Sequence, residues 1–169
     1  WIFRLFKQKF RLRMQMTCRR CWSVLAIFII IVIAISMNFF IKGTTTASSD
    51  ERTAIVLNIA ERAYVLKEMR GLLEAIEAVT LGISQDDMKA VSLASREVGM
   101  GATRSGNEPM TLIAKLPLEF KTLGMSVHRS FDELALEADT MGDGSIILGK
   151  LGAILNTCTT CHASYKFVD

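Results

Sequence analysis

The chain has 169 residues, 50% of them hydrophobic and 22% charged, with only two prolines, and its mean hydropathy is +0.32. That hydropathy is too high for a plain soluble domain and too low for a polytopic membrane protein, and the length suits one domain of ordinary size. Charge is split along the chain: residues 1–42 carry eight Lys/Arg and no acid, and the remainder carries twelve Lys/Arg and all seventeen Asp/Glu. The two parts net +8 and −5, so the basicity is confined to one end and does not mark a nucleic-acid binder.

Residues 1–21 interleave basic residues with Trp1, Phe3, Phe6, Phe10, Leu12 and Met14, the composition of an amphipathic segment on an anionic leaflet. Phe3, Phe6 and Phe10 suit a helix, whereas residues 10–16 alternate like a strand, and the pattern leaves both open. The segment reads as a flank that sets topology, or as a docking arm for a partner subunit. Residues 22–41 then contain no charge, and the clearly polar Ser23, Ser36 and Asn38 lie near the ends. As a helix these twenty residues span about 30 Å, the thickness of the hydrocarbon core. Seven Lys/Arg precede the stretch and Lys42 alone follows it closely, so the positive-inside bias places the N-terminus in the cytoplasm and the rest on the far side. The competing assignment is a cleaved secretory signal. The stretch exceeds the usual apolar core of about 7–15 residues, and Thr45-Thr46-Ala47 is a poor cleavage site, so an uncleaved anchor is expected.

Residues 42–51 read as a linker, and residues 52–169 as a helical domain whose helices are separated by glycine-bearing loops. A first helix is expected over 52–81, where Ile59, Leu66 and Leu73 recur on one broad apolar face with Arg62, Met69 and Ile76. It ends at Gly82. Ser84, with Asp87 three residues on, looks like the N-cap of a second helix over 86–99. After the loop 99–109 comes a third helix over 111–138, bent or interrupted early by Pro117. The turn 140–145 leads into a fourth, reaching Lys166. The expected fold is all-α: an antiparallel four-helix bundle preceded by a single transmembrane helix.

The chemistry-bearing motif is Cys158-Thr-Thr-Cys161-His162, the C-x-x-C-H signature of c-type haem attachment. On a helix the two sulfurs, three residues apart, lie on one side and can bond two vinyl groups of one haem, and His162 turns its imidazole to the iron as proximal ligand. The alternatives are zinc and redox CxxC sites. Zinc would need further Cys or His ligands beyond the membrane segment, where only His128 is available, and a thioredoxin-like motif wants a βαβ context. Bacterial c-type haem is attached outside the cytoplasmic membrane, in agreement with the expected topology. Cys18-Arg-Arg-Cys21 copies the spacing, but Trp22 replaces the His and the reducing cytoplasm favours free or lipidated thiols.

The stretch Leu155-Asn-Thr-Cys-Thr-Thr-Cys-His-Ala-Ser-Tyr165-Lys166 resembles the C-terminal helix of the cytochrome c′ family. So does Arg62-Ala-Tyr-Val-Leu66 in the first helix, and Met141-Gly-Asp143-Gly before the last. The resemblance covers about residues 50–168 in helix order, and only the haem motif in it is specific. It implies a four-helix bundle with one covalent haem c, and Leu66 over the distal face. Two departures stand out: the family is usually soluble and cleaved from its signal, and Lys166 occupies a position where Arg is common. With Leu66 distal, the iron is five-coordinate beneath an apolar lid that admits NO or CO. Met69, one turn on, would instead make a six-coordinate iron suited to electron transfer, or simply pack in the core. His128 is a further axial candidate or an ordinary helix histidine. Arg62 would pair with a haem propionate or in an interhelical salt bridge, and Tyr165 would pack at the proximal haem edge or fill the core.

These readings lead to a membrane-anchored monohaem cytochrome that is not itself an enzyme. It would exchange single electrons with a membrane-embedded redox complex, or serve as an accessory subunit of one, from the periplasmic face of a bacterial inner membrane. The alternative is a gas-binding haem protein. The lipid membrane is a partner in either case, nucleic acid is not, and the bundle offers a surface for a homodimer.

Overall fold

The computed structural model describes the backbone of residues 2–104, 109–140 and 142–169, with side chains for these except 2–19, 104 and 110. Residues 105–108 of the expected loop, Met141 of the turn and the Cys18 side chain lie outside the described residues. The chain divides into two compact units, Trp1–Phe39 and Phe40–Asp169.

Helix α1 runs unbroken over Ile2–Lys42, so the N-terminal stretch that could alternate as a strand is helical backbone. Within it, Arg20–Lys42 has a mean hydropathy of 3.0 and is long and apolar enough to cross a membrane. Its large apolar side chains from Trp22 to Ile41 are 44–68% exposed on every side. A helix of a soluble protein would bury one stripe; this one is apolar all round and suits lipid.

The second unit is mostly helical, as expected, but it also holds a small sheet that the all-α expectation did not include. Strand β1 (Thr45–Thr46) falls in the expected linker, and β2 (Thr53–Val56) falls where the first domain helix was expected to begin. They pair antiparallel, and β2 pairs parallel with β3 (Tyr165–Val168) in the register Thr53↔Tyr165, Ile55↔Phe167. Thr53, Ile55 and Val56 are β-branched and Ala54 and Ile55 are fully buried, which favours extended backbone. Helix α2 therefore starts later, at Ile59, and runs to Ser84. Asn58 caps it: its side chain accepts from Glu61 N–H at 2.9 Å, and Glu61 accepts from Asn58 N–H at 2.9 Å, a reciprocal capping box.

Gly82 lies inside α2 rather than beyond its end; a Cβ there would sit 2.7 Å from a Val91 methyl, so the glycine lets Val91 approach closely. Asp87, not Ser84, caps α3 (Met88–Glu97), accepting from Ala90 N–H at 2.9 Å. Pro117 interrupts the third expected helix outright. Helix α4 (Met110–Lys115) stops before it with Leu116 extended at ψ 131°, and α5 (Leu118–Thr140) follows. Helix α6 (Gly144–Ser164) is capped by Asp143 and ends two residues after His162. Tyr165 and Lys166 thus stand on a strand, not on the helix expected to reach Lys166.

Helix α3 packs on α2 and α5, and α6 on α5 and α2. One apolar cluster, including Val79, Val91, Phe131, Leu134, Ile147 and Leu151, lies among these helices. A second, of Ile55, Leu57, Val65, Leu112 and Phe120, lies beneath the sheet.

Candidate haem-attachment site

Cys158, Cys161 and His162 occupy the last two turns of α6, and the two core clusters meet there. Cys158 packs on the inter-helical cluster and Cys161 on the one beneath the sheet. All three residues border one cavity of about 430 Å³, whose other walls include Leu66, Met69 and Leu73 of α2 and Leu123, Gly124 and Val127 of α5. The periodicity of α2 explains its share: positions 66, 69 and 73 fall on one face. Gly124 contributes no side chain, and a Cβ there would meet nothing within 4 Å, so the α5 wall is flat at that point. A second space of about 120 Å³ adjoins Cys161 and His162 and is bordered also by Leu66, Met69, Phe120, Tyr165, Lys166 and Arg52.

Neither cysteine is in a disulfide. Burial pushes each above the ordinary thiol range, with the neighbouring Cys158 adding to the effect on Cys161. A redox CxxC activates its nucleophile by lowering a thiol pKa, and a zinc site holds thiolates; burial of these two thiols works against the charged form that both need. Among the described residues no group of three or more His, Cys, Asp or Glu gathers as a metal site. The donor set instead fits a flat, largely apolar macrocycle: two half-buried thiols one helical turn apart, the imidazole of His162 beside them, and apolar walls opposite.

The remaining sequence-chosen residues divide. Leu66 and Met69 border the main cavity, as does His128. The His128 ring donates Nδ1–H to Val98 C=O at 2.7 Å, which leaves Nε2 for any further partner. Arg62 does not line the cavity; it pairs across 3.2 Å with Asp169, and both side chains are largely exposed. Tyr165 stacks edge-on to Phe120 with centroids 5.4 Å apart and donates its hydroxyl to Glu119 Oε2 at 3.0 Å. Burial and that carboxylate push its phenol up to about 12. Lys166 reaches Asp50 at 3.2 Å.

Sequence reading missed Arg52. It borders the smaller space beside Lys166, pairs with Asp50 at 2.6 Å, and points Nη1 to the His162 carbonyl at 3.5 Å. The Arg52 hydrogen bond, with help from Ser48 and Lys166, holds the Asp50 carboxyl well below the usual carboxylate range. No local pattern signals a contact between residues 110 positions apart; it follows from the pairing of β2 with β3. Comparison with protein-family models, with curated proteins and with solved structures returns no match.

Proposed function

We propose that this chain is a membrane-anchored monohaem c-type cytochrome that carries single electrons to or from a membrane oxidoreductase, as an accessory subunit of such a complex. One observation carries the reading. Cys158, Cys161 and His162, whose spacing is that of haem attachment, border a single apolar cavity large enough to take a flat group.

In this reading Cys158 and Cys161 form thioethers to one haem c and His162 binds the iron, and the bound haem supplies one-electron redox chemistry. The protein's part is to exclude water from the apolar faces with Leu66, Leu73 and Val127, and to offer cations for carboxylates at the Arg52–Lys166 edge. Helices α2, α3, α5 and α6 make up an antiparallel four-helix bundle of the cytochrome c′ type. The basic flank of α1 sits in the cytoplasm and the haem domain in the periplasm. The span confines the haem to the plane of its partners and raises its effective concentration there.

A second reading, a five-coordinate haem protein binding NO or CO, draws on the aliphatic Leu66 in the cavity wall, since such a wall offers a bound gas no hydrogen bond. Electron transfer is preferred because a membrane anchor holds the haem in the plane of a membrane-embedded partner. Acid-acetone extraction tests the attachment. Haem is expected to stay on the unaltered chain and to be missing from the Cys158→Ala, Cys161→Ala double variant; haem that extracts freely from the unaltered chain overturns it.

A further inference from the structure

A groove of about 520 Å³ opens beside the end of α1. Its wall is formed by Ile41 and Lys42 from the last turn of α1, by Pro117, Leu118 and Glu119 at the start of α5, and by Tyr165 on β3. Three features of it bear on function. The first is placement: Ile41 and Lys42 end the segment long and apolar enough to cross a membrane, so the groove lies where an apolar tail would leave the bilayer. The second is polarity. In a mainly apolar wall, Glu119 and Tyr165 form a hydrogen-bonded pair at 3.0 Å, a proton acceptor coupled to a phenolic donor. The third is connection: Tyr165 also borders the space adjoining Cys161 and His162, so one side chain faces both the groove and the space beside the haem motif.

We propose that this groove binds the head group of a lipid-soluble quinol, which it oxidises with the haem held at Cys158, Cys161 and His162 as electron acceptor. The proposal rests on the electron-transfer reading above and names the substrate class for it. Each quinol loses two electrons and the protons of its two O–H bonds, and becomes the quinone. The electrons leave one at a time: the first reduces the ferric haem of one copy of the chain, and the second reduces that of another copy, or of the same copy once its haem has passed its electron to the membrane oxidoreductase. The protons pass to the Glu119 carboxylate and from there to solvent, since Glu119 is exposed. The volume falls within the range of small-molecule sites. A lipid acyl chain would leave the Glu119–Tyr165 pair without a use, and a water-soluble reductant would gain nothing from an apolar wall at the end of a membrane span.

The test uses the full haem-loaded chain in phospholipid nanodiscs, with duroquinone and duroquinol as probes. Calorimetry against empty nanodiscs is expected to show duroquinone binding that weakens by about tenfold or more in Leu118→Trp, which fills the groove. Leu118 is 52% exposed, so the substitution spares the core; Thr122→Phe, at another exposed wall position, repeats the block should the first variant misfold. Glu119→Gln is expected to slow haem reduction by duroquinol by about 100-fold at saturating duroquinol, the loss of a general base. Equal duroquinone binding with and without the block, or unslowed reduction in Glu119→Gln, overturns the proposal. Haem that ascorbate reduces in a chain that duroquinone does not bind overturns the groove alone. A chain without covalent haem overturns the reading on which it rests.

Discussion

Leu66, Met69 and His128 all border the cavity beside the haem motif, and they differ in what they can give an iron. Leu66 has no lone pair, Met69 has a thioether, and His128 has Nε2, its Nδ1–H being committed to Val98. With Leu66 as the cover, the ferrous protein is expected to be high-spin and to bind CO without displacing a side chain, and Leu66→Ala is expected to speed CO entry by removing the lid. Met69→Ala then leaves the spectrum unchanged and costs about 1–2 kcal/mol of packing at a half-buried site. A low-spin spectrum whose thioether charge-transfer band disappears in Met69→Ala assigns the face to Met69; a low-spin spectrum lost only in His128→Ala assigns it to His128. Absorption spectra of the three variants in both oxidation states decide among them. The placement of Leu66 and Met69 was legible from helical period alone. The surroundings of Arg62 were not, because its partner Asp169 lies 107 residues away.

Among the elements, the junction of sheet and helices depends on Glu61. It is 2% exposed, completes the cap of α2, and accepts from Lys115 Nζ of α4 at 2.7 Å. The Lys115 hydrogen bond, against the cost of burial and with help from Asn58 N–H and Thr111, holds its carboxyl below the ordinary range. A folded-state pKa below the unfolded value means stability that is full above the unfolded value, about 4.3, and lost as pH falls through the folded one. Thermal melts of the unaltered chain are therefore expected to drop more steeply from about pH 5 to about pH 3 than those of Glu61→Gln. Lys115→Met, which leaves a buried carboxylate short of a partner, is expected to cost on the order of 1–3 kcal/mol at neutral pH; a melt unchanged by it would remove the pair from the account. Gly43 belongs to the same junction. It has φ of +62°, a Cβ would run into the Lys115 carbonyl, and Thr44 N–H donates to that carbonyl at 2.7 Å. The Asn58-x-x-Glu61 box was a readable start signal for α2, but with the helix expected from residue 52 it fell inside the helix and went unread.

For the whole molecule, the proposed topology puts the basic flank inside and the C-terminal domain outside. A C-terminal reporter active only in an oxidising compartment is expected to work, and one active only in the cytoplasm to stay silent; the reverse result would overturn the orientation. The sequence by itself determined the features that depend on near neighbours. These are an apolar stretch long enough to cross a membrane, a mostly helical remainder, the break at Pro117, and a Cys158-x-x-Cys161-His162 run on one helix. Each rests on spacing within a few residues, where backbone period and side-chain chemistry act without help from the rest of the fold. Tertiary structure alone decided the sheet, because β2 gains its partner β3 only when residues 53–56 and 165–168 meet, and four residues of strand have no stability without that pairing. From the same meeting follow the move of Tyr165 and Lys166 off the helix and the arrival of Arg52 beside His162. It also sets Tyr165 between the groove at the end of α1 and the space beside Cys161, since contacts between distant segments are settled by which faces can be buried together and not by local period.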